Sequence, residues 1–313
     1  MENGLYQNLP EQEYHAIDRL SWSKVKHTLA CPAKAKYEAE RVREASAAMV
    51  RGSLVDVLTF TPDAFDSLFV VGAEKPKRRS GEVVDVLLAG GKPEVVDGKT
   101  VSRAVAAEAK AAGTVACTQD DLDEAQAFID ATKGRTAVSR DEYALCVKGA
   151  QVVTMELNRV FGGSWREYAI PQPSLLATLR GVDTKARFDL IVPGVLGEGA
   201  AIVDLKVTSR IAQFATHAAD FGWYGQLANY EQTYDALFDD GVRDVFIIAL
   251  QLEPWVECRC APLTERTRKF AHARCDRAWE TYLAALDADR WDGYTANVEA
   301  WDAPDWLMRR EGA

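Results

Sequence analysis

The stretch Ala200-Ala201-Ile202-Val203-Asp204-Leu205-Lys206-Val207-Thr208 constrains the fold more than any other part of the chain. Its lead-in is continuously apolar, as in a strand covered on both faces. The period-two alternation of a strand then places Asp204 and Lys206 on one face and Val203, Leu205 and Val207 on the other. Charge on a covered strand is costly unless it is paired or bound. An edge strand with a surface Asp/Lys pair is the plainer reading of an isolated D-x-K, and Asp189 counts against it. Asp189 lies in an earlier strand-like stretch, residues 184–192, and the turn-rich residues 193–199 read as a hairpin connection. Neighbouring strands would then gather Asp189, Asp204 and Lys206.

A chain of 313 residues with 48% hydrophobic content can bury a large core. It has no apolar run of membrane-spanning length and no signal-peptide pattern at its N-terminus, so a soluble, cytoplasmic protein with no membrane partner is expected. Its six scattered cysteines read as reduced thiols. The formal net charge of −10 argues against a general nucleic-acid-binding coat, but it leaves room for local basic surface. Arg19, Lys24, Lys26, Lys34, Lys36, Arg41, Arg43 and Arg51 face only Glu38, Glu40 and Glu44 in their stretch, and Lys75-Pro76-Lys77-Arg78-Arg79 forms a second cluster. The acid is concentrated in the C-terminal third. Such asymmetry suits a protein that holds phosphate in one place and repels it elsewhere, although ordinary solvated helices give similar counts.

Capping residues and periodicity predict helices from Ser21 or Ser23 towards Ala30, over 33–48, and opening between Gly52 and Phe60. Residues 72–113 read as a long excursion or flexible loop. A helix capped at Thr118 should run to about Thr132. Four strands are expected at 165–171, 175–180, 186–192 and 201–208. A helix over 223–238, strands at 245–252 and 256–261, and a long helix over 263–286 capped near Thr264 should follow. The expectation is one α/β domain over 1–313, with a central mixed β-sheet flanked by helices. Its parts are a mainly helical N-terminal region to about 160, a catalytic core over 161–286, and an aromatic, acidic tail over 287–313.

Mg²⁺ prefers oxygen ligands and takes one or two carboxylates beside substrate phosphate, which Asp189 and Asp204 could supply, with Lys206 orienting hydroxide or neutralising developing charge. The reaction this suits is phosphodiester hydrolysis. Asp189 followed fifteen positions later by Asp204-Leu205-Lys206 resembles the PD-(D/E)xK nuclease superfamily, with Phe188 in place of its Pro. Other stretches narrow the likeness to RecE-type exonucleases (exonuclease VIII), within the RecB-like branch. Gly52-Ser53-Leu54-Val55-Asp56 with the later Pro62-Asp63-Ala64-Phe65 is similar to that family's G-x-x-x-H helix and P-x-x-F. Tyr224-Gly225-Gln226-Leu227-Ala228-Asn229-Tyr230 is similar to its Y-x-Q-x-x-x-Y helix, and Trp291-Asp292-Gly293-Tyr294 with Pro304-Asp305-Trp306 to its aromatic ending. The family's metal-binding His corresponds to Asp56 here. Asp is a hard ligand able to serve Mg²⁺ or Mn²⁺, although a capping or solvated Asp56 and a lost ligand is the alternative.

The resemblance implies catalytic roles for Asp189, Asp204, Lys206, Gln226 and Tyr230, and metal ligation by Asp56, Asp189 and Asp204. Glu167, placed on the first strand, resembles the acidic residue preceding the Asp motif in RecB-like nucleases, and is otherwise a surface glutamate. Gln226 and Tyr230, four apart, share a helical face. Tyr224 lies off that face and is either a DNA contact or core packing. Thr208 shares the charged face of the D-x-K strand and could bond the substrate backbone, while Lys75, Lys77, Arg78 and Arg79 could grip DNA phosphate. The histidines have no metal-type spacing. Cys31, Cys258, Cys260 and Cys275 match the count but not the spacing of the iron–sulfur sites in some RecB-family nucleases.

The implied function is a Mg²⁺-dependent exonuclease acting 5′ to 3′ on double-stranded DNA ends. It would leave 3′ single strands for a RecT-like annealing protein in phage or prophage recombination in the bacterial cytoplasm. The family's ring-shaped homotetramer is implied as well. A RecB-like endonuclease or flap nuclease of repair or defence, and a catalytically decayed DNA-binding protein, are the alternatives.

Overall fold

In the computed structural model, which describes residues 1–41, 46–73, 75–194, 199–294 and 308–309, the expected strands divide between two sheets. A three-stranded antiparallel sheet orders β1 (Gly4–Tyr6), β3 (Ser174–Leu179) and β4 (Val182–Arg187). A five-stranded mixed sheet runs from β8 (Glu257–Pro262) through β7 (Val242–Gln251), β6 (Ala200–Val207) and β5 (Leu190–Val192) to β2 (Ile170–Pro171). In the second sheet β6 and β7 are parallel and the other pairings antiparallel. A parallel pair needs a crossover, and a helix over Trp223–Asp235 lies within it. β5 and β6 pair as the hairpin reading requires, Val192 opposite Ala201; residues 195–198 of the connection lie outside the described residues.

Two expected strands are corrected. The stretch 184–192 is not one strand: it leaves the first sheet at Arg187 and enters the second at Leu190, with Phe188 and Asp189 as the link. Fully buried Phe188 turns onto the Tyr230 ring, 4.4 Å between centroids, which anchors the break. The stretch 165–171 holds a 3₁₀ turn (Trp165–Glu167) followed by the short β2. Trp165 is buried and its indole N–H donates to Asn158 Oδ1 at 3.0 Å, so this segment folds back on the preceding helix instead of extending.

The first expected helix is a short turn, Trp22–Val25, continued as 3₁₀ to Leu29, and the second ends at Glu40. Helix α1 (Ala47–Phe60) starts before Gly52, because Ser46 caps it by accepting from the Met49 N–H. Residues 72–113 are not a loop. They contain α2 (Arg78–Leu88) and a helix over Arg103–Ala111, and α2 packs on α3 (Gln119–Thr132) around Val83, Val84, Cys117 and Ala125. Arg78-Arg79 and Gly90-Gly91 obscure that apolar helical face in the sequence. The expected Thr118 cap of α3 is present as a reciprocal box with Asp121. Chain entry and exit of this inserted part lie side by side, Phe69–Val71 pairing in parallel with Thr136–Val138.

Helix α4 (Arg140–Phe161) and α1 cover one face of β6 and β7, burying Leu54, Val57, Val153, Leu157, Val203, Leu205 and Leu250 together. A Cβ at Gly149 would lie 2.6 Å from a Leu252 methyl, so α4 needs glycine to approach the sheet this closely. The other face of β6 packs Ala200 and Ile202 against Phe188, Tyr230 and Tyr234. The covered strand expected from its apolar lead-in is therefore found. Helix α5 (Trp223–Asp235) and α6 (Glu265–Asp287), the latter capped by Thr264, close the molecule with Trp22, Val25, Ala228 and Trp279 between them. Trp291 sits edge-on to Tyr282, whereas Pro304-Asp305-Trp306 lies outside the described residues. Among the described residues no helix is long and apolar enough to cross a membrane.

Candidate active site

The alternation of β6 sends Asp204 and Lys206 to one side, where Asp204 is fully buried and its Oδ2 lies 2.7 Å from Lys206 Nζ. Lys206 thus engages Oδ2, and Asp204 Oδ1 is buried with no partner among the described residues. Asp189, on the link between the sheets, reaches across to the same strand, and its Oδ2 accepts the Leu205 N–H at 2.6 Å. Asp56 approaches from α1 with its Oδ1 buried and unpartnered. The four side chains expected to converge do so.

Their proximity shifts every pKa in the group. Burial, then the Asp204 charge, pushes Asp189 up to about 7. Burial, then the charges of Asp189 and Asp204, holds Asp56 well above the usual carboxylate range. Asp204 is raised by burial against the opposing pull of Lys206. Burial alone would lower Lys206, but the Asp204, Asp189 and Asp56 charges outweigh it and raise its pKa. With Lys206 balancing Asp204, no three or more His, Cys, Asp or Glu side chains among the described residues stand at metal-binding geometry. The donors present, three carboxylates of which Asp56 Oδ1 and Asp204 Oδ1 are buried without a partner among the described residues, nonetheless suit a hard divalent cation.

Gln226 and Tyr230 share the face of α5 expected for them, and Gln226 Nε2 donates to the Tyr230 hydroxyl at 2.6 Å. That hydroxyl is held well above its ordinary pKa by burial and then by the charges of Asp204 and Asp189, so it fronts the carboxylates. Sequence reasoning missed what seats this helix. The Trp22 ring lies over Gly225, where a Cβ would come within 2.4 Å of it, and the Trp22 indole donates to Gly222 O at 3.2 Å. It also missed a cavity of about 170 Å³ beside Gln226 and Tyr230, walled by Ser21, Ser23, Lys26, Lys185 and Arg187. The ammonium of Lys185 caps the carbonyls of Tyr14 and Ile17 at 2.8 Å, and Arg187 donates to Leu9 O at 2.6 Å. The signal was the alternation of Lys185 and Arg187 on β4.

Other expected residues are placed differently. Glu167 is exposed on its 3₁₀ turn and not on a strand. Thr208 is buried: its Oγ1 pairs with His217 Nδ1 at 2.9 Å and accepts from Arg210 N, so it is tied internally rather than laid open to substrate. Tyr224 packs edge-on to Phe270 and its hydroxyl reaches Ala215 O at 3.4 Å, the packing role. Lys75 pairs with Asp85 and Arg79 donates to Ala116 O. Lys77 and Arg78 line a groove of about 520 Å³ that also contains Glu82, Asp121 and Glu124, on the inserted part of the chain. Cys258 and Cys260 flank one core while Cys275 lies in another, in keeping with spacing that does not fit a cluster.

The model of a family described as a PDDEXK-like domain of unknown function matches residues 21–304. A crystal structure of a "putative exonuclease" from Eubacterium rectale is similar with a TM-score of 0.51 at 15% identity, covering 97% of this chain and 98% of that one. At that identity it supports the fold alone. The solved structure of SSO0001 has a TM-score of 0.25 at 12% identity over 45% of this chain and 66% of its own, and carries no argument. No curated protein matches the sequence. The mixed sheet flanked by helices is the fold of the PD-(D/E)xK nuclease superfamily.

Proposed function

We propose, from the premise that the chain belongs to the family of PDDEXK-like domains of unknown function, that it is a divalent-metal-dependent nuclease hydrolysing the phosphodiester backbone of DNA. One observation carries this reading: Asp56, Asp189, Asp204 and Lys206 share a buried site in which Asp56 Oδ1 and Asp204 Oδ1 have no partner among the described residues. Leaving a buried polar oxygen unpaired costs about 1–3 kcal/mol, more when it is charged, an expense expected where a ligand completes the site. Asp56, Asp189 and Asp204 are the residues that would hold Mg²⁺ or Mn²⁺. When bound, such a cation would balance their charge, polarise phosphate and lower the pKa of water. Lys206 supplies a fixed positive charge beside Asp204, available to the charge that develops on phosphate. The Gln226–Tyr230 pair stands between the carboxylates and the cavity beside it, where substrate could approach.

The finer reading is a 5′ to 3′ exonuclease on duplex ends, cooperating with a RecT-like annealing protein in phage or prophage recombination, assembled as a ring-shaped homotetramer in the bacterial cytoplasm. It is supported by the order of the motif stretches at 52–65, 189–206 and 224–230. The rival reading, a decayed DNA-binding protein, draws on Asp56 in the family's His position and on carboxylates not yet set at metal-binding geometry. Linear duplex labelled at its 5′ or 3′ end, with Mg²⁺ or EDTA and a Lys206→Ala control, decides between them. Mg²⁺-dependent release from the 5′ label, absent in the control and on closed circles, is expected. Cutting of closed circles would make it an endonuclease, and binding without cutting under Mg²⁺ or Mn²⁺ would sink the nuclease reading.

A further inference from the structure

Lys26 stands between the cavity beside Gln226 and Tyr230 and a second groove of about 400 Å³, in which His27, Lys34, Phe221 and Arg274 take part. Phe221 is 51% exposed although large and apolar. Its ring is fixed from behind, stacked on Trp223 at 5.4 Å and 21°, and met edge-on by His217 at 4.7 Å and 82°. One aromatic face is thereby held rigidly towards the groove. Around it the cations Lys26, Lys34 and Arg274, with His27, outnumber the carboxylates Glu38 and Asp220. Arg274, a wall of the groove, is held in place by donating one N–H to Ala219 O at 3.1 Å. A groove in which cationic side chains surround an exposed aromatic ring is the pairing that a nucleotide satisfies, with phosphate for one and a base for the other.

We propose that this groove binds a single-stranded stretch of nucleic acid, one unpaired base stacking on Phe221 and its phosphate held by Lys34 and Arg274. This extends the nuclease reading and rests on it: the strand would lie next to the cavity beside Gln226 and Tyr230, with Lys26 common to both. A base inside a duplex has both faces covered, so a single open ring selects unpaired bases without reading their sequence.

Fluorescence anisotropy in EDTA, where no cutting occurs, tests it with a labelled oligothymidylate and an abasic strand of equal length, alongside cleavage of linear duplex with Mg²⁺. The base-bearing strand should bind the native protein about tenfold more tightly, the worth of one stacked base. Phe221→Ala should bring the two strands to within about twofold, and Phe221→Trp should keep the preference. Lys34→Gln should weaken both strands alike and shallow the salt dependence by about 0.7 in log–log slope. A preference that survives in Phe221→Ala, or cleavage of duplex by a protein that binds neither strand, would overturn the groove and leave the nuclease standing. Neither binding nor cleavage would overturn both.

Discussion

Two buried ionic clusters flank α5, and consecutive residues of that helix serve one each. Tyr230 fronts Asp189 and Asp204 of the candidate site. Glu231 meets a second set between α5 and α6. Its Oε1 accepts from Arg268 and from His272 at 2.8 Å, while Gln232 donates to Asp276, which also receives Arg180. Burial pushes Glu231 upward, as it does Asp56, Asp189 and Asp204. In the second, the bonds from His272 and Arg268 win and Glu231 ends below its ordinary range; in the first, burial and mutual repulsion win and Asp189 reaches about 7. The kinds of side chain are similar. What separates a cluster that braces the fold from one that awaits a ligand is whether each acceptor has its donor.

Paired substitutions break or sharpen that contrast. Asp204→Asn should abolish cleavage, by about 10²-fold or more, with a melting temperature unchanged or higher, because two carboxylates remain to balance Lys206. Glu231→Gln should do the reverse, costing about 1–3 kcal/mol because the amide keeps one acceptor oxygen but loses the charge that Arg268 and His272 are paired with, with cleavage falling only as far as the fold loosens. Equal losses of stability in thermal melts would erase the distinction.

Divalent cation should raise the melting temperature by binding the folded chain, about 2.7 kcal/mol at a hundredfold excess over Kd, and Asp204→Asn should lose that response. The sign with pH follows from Asp189. Its folded pKa, about 7, exceeds the ordinary 3.8, so without metal the stability it contributes is complete below 3.8 and is lost as pH rises through about 7. Over the same interval cation binding should strengthen as the competing proton leaves. Titrations of Mg²⁺ by melting point at several pH values would show the two trends crossing, or refute them.

A smaller effect is expected at the seat of α5. Gly225→Ala adds a Cβ within 2.4 Å of the Trp22 ring, and overpacking of this kind costs about 1–3 kcal/mol. Cleavage should suffer more than stability, since Gln226 follows directly. The smallest is His272→Gln. Its bond to Glu231, against burial, raises His272 above 6.5, so the stability it adds is complete below 6.5 and lost as pH rises past the folded value. The substitution should flatten that decline, by about 1 kcal/mol or less, in melts followed from mildly acidic to alkaline pH.

Where local rules dominate, the sequence was legible. The period of β6, the Thr118 and Thr264 caps and the shared face of Gln226 and Tyr230 all follow from neighbours a few residues apart. Asp189 joined Asp204 as expected, yet its position at a break between sheets was hidden, because Ala186 and Leu190 to Val192 remain apolar on both sides of the break. The convergence of Asp56 was suggested by family likeness alone, since nothing local distinguishes it from a helix-surface acid. Trp22 over Gly225 and Lys185 beneath the Tyr14 and Ile17 carbonyls join residues far apart in the chain, beyond the reach of periodicity. Residues 72–113 misled because glycines and paired arginines interrupt a genuine helical face.

The parallel pairing of Phe69–Val71 with Thr136–Val138 has a consequence for how such a protein can change. A chain that departs and returns through one paired neck can lengthen, shorten or exchange what lies beyond it while Asp56 upstream and Asp189 downstream keep their spacing. Relatives could then share one carboxylate centre and differ in the cassette mounted on that neck, with the chemistry left untouched.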